Sequence, residues 1–173
     1  MTDAFSILKE AILNEQDGYK FYTELTTKIE DERGRKLFQT LAGDEEEHLR
    51  ILQVEYGKVS EGGEWLDLEN ARAERPPDSV LRLFPVEGAA GLKLKPGAGD
   101  LEALELAMDF ERRAYEIYDK AARQTSDLTA QAVLRYLANW EDSHYSVLQG
   151  AYDYLANKGM WYFDEQEYPF FEG

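Results

Sequence analysis

The sequence repeats itself after 96 residues, and this repeat limits the fold more than any other feature of the chain. The offset superimposes Ala11 on Ala107, Glu15 on Glu111, Tyr19 on Tyr115, Tyr22 on Tyr118, Asp31 on Asp127, Leu41 on Leu137, Glu45 on Glu141, His48 on His144, Leu52 on Leu148 and Tyr56 on Tyr152. The register is the same for the first pair and the last. We therefore predict two helical hairpins of one design.

Apolar residues at helical spacing predict four long helices, two in each hairpin. The first hairpin is expected over residues 3–57 and the second over residues 100–157. Asp31, Asp100 and Asp127 stand where side-chain caps of the second, third and fourth helices are expected. The sequence therefore favours an all-α fold.

Residues 58–99 between the hairpins lose the helical periodicity and contain four of the five prolines. A connector of this length needs a geometric reason in a compact domain. A two-fold axis perpendicular to the helices supplies one, because the chain must then return along the whole bundle. A helix of this length spans roughly 40 Å at 1.5 Å per residue. We predict a single domain over residues 1–173, a ferritin-like four-helix bundle in which this connector is the crossover. Trp65 and residues 81–85 are expected to pack against the helices.

Composition excludes several classes of function. The net charge of −16 argues against nucleic-acid and anionic-membrane partners, because these require a concentrated basic surface. The chain has no stretch of about 18 apolar residues and no amino-terminal signal pattern, so a cytoplasmic protein is expected. Cysteine is absent, and any metal must therefore be bound through nitrogen and oxygen.

The two histidines of the chain, His48 and His144, each follow a glutamate by three residues. Residues at this spacing project from one face of a helix, where their donor atoms converge. Glu15 and Glu111 fall on the apolar stripes of the first and third helices. Together, six residues are predicted to bind two metal ions in the bundle core: Glu15, Glu45, His48, Glu111, Glu141 and His144.

Charge supports this interpretation. Four buried carboxylates without counter-ions would carry a severe desolvation cost, whereas two divalent cations balance them. The donor set suits iron or manganese better than copper or structural zinc. The alternative, that each Glu-x-x-His motif is a surface pair, is disfavoured because all six residues fall on apolar stripes and obey one offset. Glu46 and Glu47 lie off the stripe and are expected in solvent.

The sequence resembles the rubrerythrin family of ferritin-like proteins in three features: the two Glu-x-x-His motifs, the two further glutamates and the long connector. The resemblance implies a non-haem di-iron centre that reduces hydrogen peroxide or reacts with dioxygen while cycling between diferrous and diferric states. It also implies that Glu45 and Glu141 bridge the metals, that Glu15 and Glu111 are terminal ligands, and that each histidine supplies one nitrogen. Two iron ions are expected on this ground, with manganese as the alternative.

The chain departs from the family pattern in two respects. It has no rubredoxin domain with four cysteines, so electrons are expected from a separate carrier. In the third helix, Ala114 stands where the family has a further glutamate that exchanges with a histidine, and its repeat partner is Gly18. These small residues are expected to leave space beside the metals and to remove the ligand switch.

Two roles remain open for Tyr22 and Tyr118, which are either hydrogen-bond donors to the ligand carboxylates or core aromatics. The aromatic tail over residues 158–173 is expected to fold back over the bundle, with a recruitment peptide or a dimer contact as the alternative. Because ferritin-like chains commonly pair through helix faces, the resemblance also suggests a homodimer.

Three functions follow from these observations. The first is a rubrerythrin-like oxidoreductase whose partners are a small oxidant, hydrogen peroxide or dioxygen, and an external electron donor. The second is a ferroxidase that handles iron for storage or transfer. The third is a non-enzymatic bundle that a structural metal stabilises and that binds a partner.

Overall fold

The fold is known from a computed structural model that describes residues 4–85, 93–164 and 166. The helices are α1 (Ala4–Lys28), α2 (Glu32–Ser60), α3 (Leu68–Ala73), α4 (Asp78–Leu83), α5 (Asp100–Gln124) and α6 (Leu128–Lys158). The described residues contain no strand, and the prediction of an all-α, ferritin-like bundle is confirmed. None of the described helices is long and apolar enough to cross a membrane.

Two of the three predicted helix caps are confirmed. The carboxylates of Asp31 and Asp127 accept backbone N–H bonds from the first turns of α2 and α6. The prediction for Asp100 is wrong, because this residue is the first of α5 and the cap is Gly99, whose N–H donates to Glu102 over 3.0 Å. The Asp100 carboxylate instead accepts a hydrogen bond of 2.8 Å from the indole N–H of Trp161, which is a tertiary contact.

Two hydrophobic clusters show how the helices run. The first contains the amino-terminal part of α1 with the carboxyl-terminal half of α5, including Leu8 and Ala121. The second contains the later part of α1 with the first half of α5, including Leu25 and Leu104. Helices α1 and α5 are therefore antiparallel, and the same distribution of residues makes α2 and α6 antiparallel. The two hairpins are thus related by an axis perpendicular to the helices.

The connector contains two short helices that its lack of periodicity did not predict, α3 and α4. Trp65 packs against the first cluster, as expected, and Leu94 packs against the second. These positions agree with a chain that crosses between the two ends of the bundle, although residues 86–92 lie outside the described part. The expectation for residues 81–85 holds only for Phe84, which is buried, whereas Leu83 is 58% exposed.

The aromatic tail follows the end of α6, where Gly159 adopts the left-handed conformation with φ of 66°. Trp161 is 3% exposed and packs edge-on against Phe38 of α2. Its carbonyl also accepts a bond from Arg33 over 3.2 Å. The prediction that the tail folds back is confirmed at Trp161. The aromatic residues predicted further along lie outside the described residues: Tyr168, Phe170 and Phe171.

Candidate metal centre

The six predicted ligands lie together between the two hydrophobic clusters, one from each of α1 and α5 and two from each of α2 and α6. Each is at most 2% exposed. They form two groups whose candidate ligand atoms lie within 4.8 Å of one another. One group is Glu15, Glu45, His48 and Glu141, and the other is Glu45, Glu111, Glu141 and His144.

The two groups share Glu45 and Glu141, and each has one further glutamate and one histidine of its own. Such sharing is the arrangement in which two carboxylates can contact two ions at once. The group of His48 has Glu15 as its own carboxylate, and the group of His144 has Glu111. The site therefore has the same approximate two-fold symmetry as the sequence repeat.

Both histidines direct Nδ1 into the cluster. In His48 this atom lies 3.4 Å from Glu15 Oε2 and 3.4 Å from Glu141 Oε1. In His144 it lies 3.4 Å from Glu45 Oε1, 3.5 Å from Glu111 Oε1 and 3.3 Å from Glu141 Oε2. Donor atoms that bind one ion at about 2.1 Å are separated by roughly this much.

The buried atoms facing the centre are unsatisfied within the protein. Glu15 Oε2, Glu111 Oε2, His48 Nδ1 and both carboxylate oxygens of Glu45 and Glu141 have no hydrogen-bond partner among the described residues. Buried polar atoms of native proteins are normally paired, and leaving one unpaired costs about 1–3 kcal/mol. Two divalent cations would satisfy these atoms and neutralise four carboxylates, so the residues present fit a dinuclear metal centre.

The electrostatics of the cluster also reflect the crowding of acidic groups. Burial raises the pKa of Glu45 well above its usual value, and the charges of Glu15 and Glu141 raise this pKa further. Burial likewise raises the pKa of Glu111, to about 8. Burial acts in the same direction on Glu141, but the nearby imidazoles of His144 and His48 outweigh it and lower the pKa of this carboxyl.

The histidine of the first group is stabilised in its charged form by the surrounding carboxylates. Burial alone would lower the pKa of His48, but Glu141 and Glu15 raise that pKa to about 9. Metal binding would therefore release protons from the cluster, because metal ligands must be deprotonated before they bind.

Two tyrosines link the hairpins at the centre. Tyr22 of α1 donates a hydrogen bond to Glu111 Oε1 of α5, and Tyr118 of α5 donates one to Glu15 Oε1 of α1. Both rings are fully buried, and burial raises each phenol pKa well above 10, so each hydroxyl keeps its proton. Of the two roles left open by the sequence, the tyrosines have that of donor to the predicted ligands.

Sequence reasoning missed two neighbours of the histidines. Asp44 Oδ2 lies 3.3 Å from His144 Nε2. The ring of Trp140 lies 5.9 Å from that of His48 and 5.7 Å from that of His144. Each neighbour precedes the histidine of its own motif by four residues, so the helical period alone places both on the inner face.

The space expected beside the centre is filled at Gly18. A Cβ at this residue would lie 2.8 Å from two atoms of the Phe110 ring and 3.3 Å from the carboxyl carbon of Glu45. Ala114, the other small residue, is buried in the first hydrophobic cluster. The expectation of space at Gly18 is therefore wrong, because a side chain of the other hairpin fills it. Glu46 and Glu47 are exposed, as predicted.

A comparison with models of protein families gave a match. The family model described as Rubrerythrin matches residues 6–152, which contain all six predicted ligands. Neither the curated proteins nor the solved structures compared with the chain gave a match.

Proposed function

Because the chain belongs to the rubrerythrin family, we propose that it is a non-haem di-iron oxidoreductase that reduces hydrogen peroxide or dioxygen with electrons from a separate carrier. The observation that carries this proposal is the pair of buried ligand groups that share Glu45 and Glu141. Such sharing is typical of the dinuclear carboxylate centres found in bundle cores. Family membership favours iron, and the oxygen and nitrogen donors are compatible with manganese.

In this proposal Glu15, Glu45, His48 and Glu141 hold one ion, and Glu45, Glu111, Glu141 and His144 hold the other. When bound, two irons supply the two electrons that convert one molecule of hydrogen peroxide and two protons into two molecules of water. The electrons are then restored from outside the 173 residues, because these contain no cysteine for an iron–sulfur centre.

The protein itself contributes orientation and exclusion of water. Tyr22 and Tyr118 each donate to Oε1 of a terminal glutamate, and Oε2 of Glu111 and Glu15 stays buried without a hydrogen-bond partner among the described residues. Hydrogen bonds of this kind keep ligands in place before the metal arrives. The hydrophobic clusters on either side exclude water along the bundle, so the reacting groups lie in a medium where charges interact strongly.

The experiment is anaerobic reconstitution with Fe(II) followed by stopped-flow oxidation. We expect about two irons per chain, oxidation by peroxide that is faster than oxidation by dioxygen, and retention of the iron afterwards. A matched sample of His48→Ala/His144→Ala serves as the control without a centre. Metal analysis that finds at most trace iron or manganese in the wild-type protein would overturn the proposal.

Release of iron after each turnover would instead assign the centre to iron handling, as a ferroxidase. Oxidation by dioxygen alone, with the product accumulating as ferric mineral, has the same meaning. Metal that stays bound without reacting with either oxidant would identify a structural site. The three functions expected from the sequence are thus distinguished by one set of measurements.

A further inference from the structure

The sequence repeat is broken beside the two histidines of the centre. The offset of 96 residues superimposes Asp44 on Trp140, although it superimposes identical residues at Glu45 and His48. In the folded chain Asp44 Oδ2 lies 3.3 Å from His144 Nε2, on the side of the ring away from the carboxylate cluster. The equivalent neighbour of His48 is the ring of Trp140, at 5.9 Å.

We propose that Asp44 is a positioning residue that keeps the proton of His144 on Nε2 and thereby makes the metal position of His144 the tighter of the two. This inference rests on the proposed dinuclear centre. A neutral imidazole carries its proton on one nitrogen only, and only the other can bind a metal. A carboxylate beside Nε2 holds the proton there and leaves the lone pair of Nδ1 for the ion.

His48 lacks this device in the described part of the chain. Its ion pairs there, with Glu15 and Glu141, both involve Nδ1. The edge-on ring of Trp140 packs against the imidazole but offers no carboxylate to hold a proton on Nε2. The proton of His48 is therefore less strongly directed away from the metal-binding nitrogen.

The remaining ligands of the two positions match one another. Each position has the shared pair Glu45 and Glu141, one terminal glutamate and one histidine, and each terminal glutamate accepts a tyrosine hydrogen bond. Within the described part of the chain, Asp44 is thus the charged group that distinguishes the two positions. Loss of an outer carboxylate of this kind typically weakens metal binding by a factor of about 10–100.

A metal titration tests the difference in affinity. We expect metal-free wild-type protein to bind Zn²⁺ in two unequal steps, and Asp44→Ala to weaken the tighter step by roughly 10–100-fold. Asp142→Ala is the matched control, because it removes one exposed carboxylate adjacent to Glu141 and should leave both steps unchanged. Asp44→Asn keeps an acceptor oxygen without the charge and should recover part of the lost affinity.

Nitrogen-15 NMR of the Zn²⁺-loaded protein reports on the tautomer itself. The chain has only two histidines, so the spectrum contains two imidazoles. We expect His144 in the wild type to show metal at Nδ1 and a slowly exchanging proton at Nε2. Asp44→Ala should accelerate exchange of that proton and shift the signals of His144, and Asp142→Ala should not.

The outcomes separate the two proposals. If wild-type protein binds two ions, but Asp44→Ala leaves both steps and the His144 signals unchanged, the role of Asp44 is wrong and the dinuclear centre stands. If wild-type protein binds no ion, the proposed function itself fails. Asp44 is 25% exposed, and circular dichroism will show whether Asp44→Ala is folded. If it is not, the smaller loss expected of Asp44→Asn decides the matter, and unchanged affinity there would refute the inference.

Discussion

The hydroxyl of Tyr118 in α5 donates a hydrogen bond to Glu15 in α1, and the repeat duplicates this bond between Tyr22 and Glu111. Each bond joins one hairpin to the other at the level of the proposed centre. Because the donor and acceptor lie on different hairpins, the two bonds couple correct assembly of the bundle to the positions of the terminal ligands.

Replacing Tyr118 with phenylalanine should destabilise the metal-free protein by about 1–3 kcal/mol, because it leaves a buried carboxylate oxygen without its donor. Urea denaturation of the two proteins measures this difference. Tyr152→Phe is the matched control, since it removes a tyrosine–glutamate hydrogen bond of 2.9 Å to Glu105 that is exposed. An equal loss of unfolding free energy in the two variants would show that burial does not strengthen the contribution of the Tyr118 hydrogen bond.

Loss of a shared carboxylate should weaken metal binding at both positions. Loss of a terminal carboxylate should weaken metal binding at one position only. Glu45→Ala is therefore expected to reduce bound iron from about two ions per chain to nearly none, and Glu15→Ala to about one. Metal analysis after anaerobic reconstitution distinguishes these values. Glu46→Ala, which removes an exposed neighbour, should retain the wild-type content. Identical losses in the first two variants would contradict the sharing of Glu45.

Removing a buried carboxylate should stabilise the metal-free protein and destabilise the metal-bound protein. Glu45→Leu is expected to stabilise the metal-free form by roughly 1–4 kcal/mol, because an apolar side chain replaces an acid that is fully buried and lacks hydrogen bonds. The same change removes the stabilisation that bound metal gives to the wild type. Thermal unfolding with chelator and with Fe(II) under nitrogen measures both effects. A variant less stable than wild type in chelator would contradict this account.

A pH dependence is expected from Glu55, which follows His48 by seven residues in α2. Its side chain is fully buried and accepts a bond of 3.1 Å from the backbone N–H of Leu66. Burial raises the pKa of Glu55 from 4.5 to about 7, although the bond from Leu66 opposes this shift. The native state therefore binds more protons than the unfolded state between these pH values, and stability falls as pH rises through this range.

Glu55→Gln removes this titration and keeps an acceptor for Leu66. The free energy of unfolding of the variant, minus that of the wild type, should increase by roughly 1–3 kcal/mol between pH 4.5 and pH 8. Urea denaturation of both metal-free proteins across this range measures it, and the subtraction cancels the titration of the centre. Glu116→Gln, which removes an exposed carboxylate of α5, is the control. A difference that does not change with pH would refute the assignment.

Much of the molecule could be predicted from sequence because the relevant signals are local. The apolar period specified four long helices, and the spacing of Glu45 and His48 placed both on one face of α2. Short-range rules also predicted the caps at Asp31 and Asp127, where the side chain reaches only the adjacent turn. Asp100 satisfies the same rule but bonds to Trp161, a residue distant in the chain.

The sequence by itself determined the all-α class, the hairpin repeat and the six residues of the candidate centre, since periodicity and an exact offset are properties of the linear chain. Only the tertiary structure showed that Phe110 fills the space beside Gly18 and that Asp44 lies against His144. Both contacts join different hairpins, and which side chains meet across a packed interface depends on the rotation and depth at which the helices dock. The pattern of residues along the chain specifies neither the rotation nor the depth.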